Sequence, residues 1–447
     1  MEVDGEASLA GIRTEFHWRE KFEKADIQTR YRVKAMLAEQ DWTEKLGLTI
    51  PDAVREWVQG PIAADLEISI NDRGEGRLDG RLGLTDAVLT LAKFDWTKAA
   101  GTEASAEFIA AFTKQRFHNI SEFTIAGGGL DAIGSAKFNA GGGVREIRIE
   151  QFQLNHTDIA AVLIPVKGRL EIDVHGRVLD LRGFFAQDDA AANGEAERGQ
   201  PLSLSFSLGK ALVENGLALN NVTGAAVFDG LVWRNAQFSG TMKKARKIEL
   251  KITPDGNKRH FLLTSNDAGQ ALKVLDFNEN VVGGSLRIDA TYRGMMPDSP
   301  LQGILSVDNF RVLNAPVFAQ LLSIASLTGI LEALGGKGLQ FNQLIVPFVS
   351  GPDQVRVEDA RATGITLGIT ATGSVDTINE TIDLRGTLIP AYLINSALGR
   401  LPIVGVNTFL NPDAVEGQQP AQLQRSSEQE KQGQIKRLRK FQCRHAE

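Results

Sequence analysis

Cysteine is almost absent: Cys443 stands alone in 447 residues, which excludes an internal disulfide and any cysteine-built zinc site. No run of about twenty apolar residues is present to span a bilayer as a helix. The nearest, 316–331, carries no charge but is interrupted by Gln320, two serines, Thr328 and Gly329. Residues 1–6 lack the basic start and apolar stretch of a secretory leader. Proline is scarce, 14 residues against 45 glycines, which points to tight turns rather than proline-rich disorder. Basic residues are not in excess either. A net charge of −6 and an isoelectric point near 5.7 exclude nucleic acid as a main partner, because phosphate binding needs a basic face. The six histidines are scattered, and none has the His-x-x-x-His spacing of a metal pair, so no metal is expected.

What is present is alternation with a period of two. Leu202, Leu204, Phe206 and Leu208 are separated by three serines, at 203, 205 and 207. Leu170, Ile172 and Val174 alternate with Glu171, Asp173 and His175. Ile248, Leu250 and Ile252 alternate with Glu249 and Lys251 before a Pro-Asp-Gly-Asn turn at 254–257. Leu286, Ile288, Ala290 and Tyr292 repeat the pattern, as do Ile382, Leu384 and Leu388. Turn residues recur between these runs, at 71–74, 127–129, 141–143, 215–216 and 229–230. The reading is a succession of about twenty antiparallel strands with one apolar face.

Helical patterns are few. Residues 51–58 open on proline and acid, Asn266 and Asp267 could cap a helix through Leu275, and a short one follows Pro390 at 391–398. The longest, 315–334, spreads Phe318, Leu321, Leu322, Ile324, Leu327 and Ile330 around most of a helix, as a buried plug or a membrane-docking element would. Four short helices cannot cover so many strands. The apolar face needs a second sheet, closure into a barrel, or a curled sheet around an apolar ligand. From about residue 411 glutamines crowd a stretch that ends basic, and no strand period survives, so 411–447 is expected to be a disordered tail.

Catalytic patterns are missing. No Gly-x-Ser-x-Gly elbow occurs, and the Gly-Gly-Lys-Gly at 335–338 lacks the hydroxyl residue that would hold magnesium in a phosphate loop. Asp86, Asp95, Asp173, Asp308 and Asp383 alternate with apolar residues or sit beside turns, which is the pattern of a solvated face. No catalytic residue, cofactor or enzyme activity is expected.

Three segments resemble the C-terminal region of AsmA-like (YhdP-type) bacterial envelope proteins. The first is Leu-Thr-Asp-Ala-Val-Leu-Thr-Leu at 84–91 with Phe-Asp-Trp-Thr-Lys at 94–98, and Gly60-Pro61 upstream fits too. The second runs from Gly303 to Pro316 and on through 321–330 to Phe341. The third runs from Gly373 to Pro402 and contains the most specific signal, Pro-Ala-Tyr-x-x-Asn-Ser at 390–396. The resemblance covers roughly 10–405. It implies an inner-membrane-anchored protein with a periplasmic body, a long β-sheet curled into a groove that carries phospholipid between the inner and outer membranes. The family's N-terminal transmembrane helix and first portion have no counterpart here, and the tail reads like a frameshift product.

The expected fold is therefore mainly β: a long, extended antiparallel sheet curled into a groove, with a few short helices near the C-terminal end. Residues 1–290 would form the repetitive groove and 291–410 the AsmA-like C-terminal β region with its plug at 315–334 and short helix at 391–398. Leu202, Leu204, Phe206, Leu208, Ile248, Leu250, Ile252, Leu286 and Ile288 are the expected lipid-facing residues. Phospholipid acyl chains, both membranes and other envelope proteins are the expected partners. A scaffold for outer-membrane assembly, acting through protein contacts, is the alternative. A glycan hydrolase is disfavoured, because no carboxylate pair stands out.

Overall fold

The computed structural model describes residues 1–9, 11–22, 26–38, 57–114, 116–184, 199–213, 216–275, 277, 279–313, 338–379 and 381–390. Among these the chain is mainly β and dominated by antiparallel pairing, with few helices. It divides into two compact units, and the division falls between Leu212 and Val213. Ala290, beside the boundary expected between 1–290 and 291–410, lies within a strand paired in register on both sides.

The first unit opens with β1 (Glu2–Leu9), β2 (Ile12–Glu20) and β3 (Thr29–Leu37). Then come β4 (Val58–Gln59), β5 (Ile62–Ile70), β6 (Glu75–Gly83), β7 (Val88–Leu91), β8 (Trp96–Lys98) and β9 (Ala104–Thr113). It continues through β10 (Arg116–Gly127), β11 (Leu130–Phe138), β12 (Val144–Leu154), β13 (Thr157–Val166), β14 (Arg169–Asp180) and β15 (Leu202–Leu212). All but β4, β7 and β8 form one ladder in chain order, each strand antiparallel to the next as far as β14. β15 then lies parallel to β14, the exception to the expected antiparallel order. Among the described residues β1 pairs on one side only, so this ladder does not close on itself.

β4, β7 and β8 make a separate small sheet. It packs over one end of the ladder around Leu84, Ala87, Leu89 and Trp96, which meet Ile62, Ala104, Leu130, Ala132 and Leu154 in a buried cluster. The Leu-Thr-Asp-Ala and Trp-x-Lys segments are thus this cap. Val58, expected in a helix, begins its first strand.

The second unit holds β16 (Ala218–Phe228), β17 (Trp233–Thr241), β18 (Lys247–Asp255), β19 (Lys258–Ser265), α1 (Ala268–Val274), β20 (Val281–Tyr292) and β21 (Leu301–Val312). It ends with β22 (Leu339–Ser350), β23 (Gln354–Gly364), β24 (Leu367–Asp376) and β25 (Thr381–Pro390), again a ladder in chain order. α1 is the expected helix: Asp267 caps it by accepting the Gln270 amide, and its buried residues include Ala271, Leu272 and Val274. The expected plug residues Phe318, Leu321, Leu322, Ile324, Leu327 and Ile330, the helix at 391–398 and the tail 411–447 lie outside the described residues.

Candidate functional site

Because side chains alternate along each strand, the register decides what each face of the first unit carries. One transverse row begins at Gly5 and Phe16 and continues through Val33, Leu66, Gly80 and Phe108. It goes on through Phe123, Gly134, Ile149 and Ala161 to Val174 and Phe206. Every one of its twelve positions, one per strand, is apolar. The parallel row from Val3, Trp18 and Tyr31 to Leu163, Ile172 and Leu204 contains no charged residue. Trp18 and Tyr31 stack in it with ring centroids 6.4 Å apart.

The floor of this surface is made flat by pairing phenylalanine with glycine. Phe108 lies across Gly80, Phe112 across Gly76 and Phe123 across Gly134, each ring occupying the space where a Cβ on the glycine would sit. An aromatic ring laid over a cross-strand glycine covers backbone that would otherwise be bare and stands little above the sheet.

Along the two rows the small residues Gly80, Gly134, Ala110, Ala136 and Ala161 are buried, and every larger apolar side chain is only half-buried. The cap closes one end of the face, where Ile62, Leu130 and Leu154 are sealed. The rest stays open. With strands about 4.8 Å apart, twelve of them carry the rows over roughly 50 Å. That exceeds the apolar patches usual on soluble monomers.

The opposite face is charged. Arg32, Glu67 and Asp79 follow His17 in one row, and Lys34, Asp65, Arg81 and Glu107 follow Glu15 in another. A pocket of about 430 Å³ lies there. Its cations are committed: Arg32 donates two bonds to Asp65, at 3.0 and 2.7 Å, and Arg81 pairs with Glu107 at 3.4 Å. The Arg32 bond holds the Asp65 carboxyl below its usual value against the opposing effect of burial. Further along this face, on β14 and β15, Ser205 donates to Asp173 at 2.6 Å and His175 bonds the other oxygen at 2.7 Å. These bonds, the serine's first, keep Asp173 ionised to lower pH. The carboxylate stands between hydroxyl and imidazole, so the imidazole cannot take the hydroxyl's proton directly as a nucleophilic triad requires. No group of acids, histidines and cysteines able to hold a metal occurs among the described residues. No described helix is long and apolar enough to cross a membrane.

The expected lipid-facing residues separate into two settings. Leu202, Leu204 and Phe206 stand half-buried on the open face, and Leu208, in the row nearest the cap, is buried. In the second unit the register brings Ile248 beside Ser265 and Leu286, and Leu250 beside Leu263 and Ile288. There the face is closed: Ile248, Leu286 and Ile288 are only 2–3% exposed, Ile252 is buried, and Leu250 is half-buried. At the edge of this covered face Arg259 is fully buried, its guanidinium 4.2 Å above the Tyr292 ring and bonded to the Trp233 carbonyl at 3.1 Å. Burial lowers the Arg259 pKa and raises that of Tyr292. The sequence reading missed the phenylalanine–glycine pairs and the open row from β2 to β13, although Phe108, Phe112, Gly76 and Gly80 carry the right period.

No family model matches the chain, and no solved structure matches it. A stretch of 47 residues is 55% identical to part of the fused isobutyryl-CoA mutase of Paraburkholderia xenovorans (strain LB400), over 10% of this chain and 4% of the mutase. The mutases of Nocardia farcinica (strain IFM 10152) and Cupriavidus metallidurans are 53% identical over stretches of the same length. The chain thus spans about 4% of the length of the curated relatives it matches.

Proposed function

We propose that this chain is a non-catalytic lipid-binding module that takes the acyl chains of phospholipid on the open apolar face of its first unit. The resemblance to AsmA-like envelope proteins extends the proposal to a periplasmic body, anchored in the inner membrane, that conducts phospholipid between the two membranes. The observation that carries the reading is the pair of uncharged rows, twelve strands wide, whose large side chains stay half-exposed. Each methylene removed from water contributes about 0.8 kcal/mol, so an acyl chain lying along this face gains several-fold more than the thermal energy. A flat floor of rings over glycines offers contact without a fixed shape, which suits a flexible hydrocarbon better than a rigid ligand. The second unit, with its face covered, fits the scaffold alternative better.

Titration of the delipidated protein with a phospholipid bearing a fluorescent acyl chain tests this. Phe206→Asn and Leu163→Asn, each placing an amide on the open face, should weaken binding at least fivefold with little loss of thermal stability. Unchanged binding in both variants, or no binding by the wild-type protein, contradicts the proposal.

A further inference from the structure

The open end of the first unit carries a distinctive set of hairpin tips. In the β2–β3 connection Lys21 and Phe22 are exposed, Phe22 by 76%, and Ile27 by 40%. The connection is held beside β5, whose Ile70 carbonyl accepts the Gln28 amide at 2.9 Å. The β5–β6 turn presents Arg73, and the β9–β10 tip lies against that turn, the Lys114 amide donating to the Gly74 carbonyl at 2.9 Å. Beside Lys114 stand exposed Arg116 and Phe117. Val144 and Arg145 open β12 beside the β11–β12 turn, and the β13–β14 turn adds Lys167.

Three features of these tips belong together. The six cations make no ion pair among the described residues, whereas most charges on the sheet's polar face are paired. Four carboxylates, Glu20, Asp26, Asp72 and Glu75, stand at the same edge without an ion pair among the described residues, against six cations, which leaves it net cationic in a chain whose overall charge is −6. Phe22 projects among the cations, and Phe117 stays 44% exposed although its ring meets that of Phe112 edge-on at 5.9 Å. Lys114 and Lys167 also hold left-handed backbone, with φ of 49° and 43°, where glycine or asparagine is favoured. The tips at the capped end are different: Gly128–Gly129 and Asn155–His156.

Exposed aromatic and aliphatic tips interleaved with free lysine and arginine match the boundary of an anionic bilayer. Rings and methyls enter the headgroup layer there while cations meet phosphate. We propose that this open edge of the first unit docks on an anionic lipid bilayer surface. The docking stands on the tips alone and holds whether or not the apolar face binds acyl chains. If both hold, the edge brings the open end of that face against the headgroups, where a chain could enter.

The test is flotation of the full chain with vesicles of phosphatidylcholine alone or with 30% phosphatidylglycerol. The protein should float with the anionic vesicles and not with the neutral ones, and raised salt should release it. The triple variant Arg73→Glu, Lys114→Glu, Lys167→Glu should lose at least tenfold of the bound fraction. A control with the same charge change on the same unit but away from this edge, Arg13→Glu, Lys34→Glu, Lys210→Glu, should bind as the wild type does. If the first triple variant melts early, Phe22→Ser with Phe117→Ser replaces it and should also reduce flotation. Millimolar glycerophosphoglycerol should not compete. Flotation that is equal on neutral vesicles, unaffected by the edge variants, or abolished by the soluble headgroup would overturn the proposal, the last by showing a discrete anion site instead of a surface.

Discussion

Lys98 shows how one residue can read as a charge in the sequence and act as a strut in the fold. The residue is 2% exposed, and its ammonium donates to the carbonyls of Thr85, Ala99 and Thr102 at 3.0, 3.1 and 2.9 Å. An ammonium has three donors, and here each meets a loop carbonyl. Burial lowers its pKa, with Asp86 opposing. Two residues earlier, the Trp96 indole donates to the Gly128 carbonyl at 2.9 Å. The Trp-x-Lys pattern is therefore a clasp that ties the cap to the β10–β11 turn, and its chemistry is structural. Replacing Lys98 with methionine keeps the stem but removes three charge-assisted hydrogen bonds, at a cost of about 3 kcal/mol. Urea denaturation should show this loss. A variant as stable as the wild type would mean that water reaches those carbonyls.

Among the elements, α1 was legible because its signals are local. Asp267 accepts the Gln270 amide at 3.0 Å, as a Ser, Asp or Asn before a helical run should. Asp267→Ala should cost about 1 kcal/mol and speed hydrogen exchange in the amides of α1. Exchange that did not change would assign the helix's stability to its packing on β20 alone. Strands were legible for the same reason: Leu202 to Leu208 and Ile248 to Ile252 alternate where the structure has β15 and β18. Pairing direction was not. The serine–leucine alternation of β15 reads identically whether β14 lies parallel or antiparallel to it, so the parallel step from β14 to β15 left no mark in the residues. The phenylalanine–glycine pairs escaped for a related reason. Gly80 and Phe108 are 28 positions apart, and only the register of β6 against β9 reveals that one covers the other.

For the molecule, one alternating pattern produces two different outcomes. Ile288 in the second unit and Ile172 in the first both face an apolar row, yet Ile288 is sealed and Ile172 is half-exposed. Alternation specifies that a face is apolar; what covers that face is decided by distant segments, such as the cap over Leu130 and Leu154. The central claim is that the uncovered face of the first unit takes hydrocarbon. Its most direct test uses adjacent positions of β15 that point to opposite faces: Leu204 in the apolar row, and Ser203 opposite Glu171 in the polar one. A photo-reactive amino acid at each position should be irradiated in the presence of phospholipid and the adducts measured by mass. The account predicts phospholipid adducts at position 204 and none above background at 203. Equal labelling at the two positions, or none at 204, would contradict it.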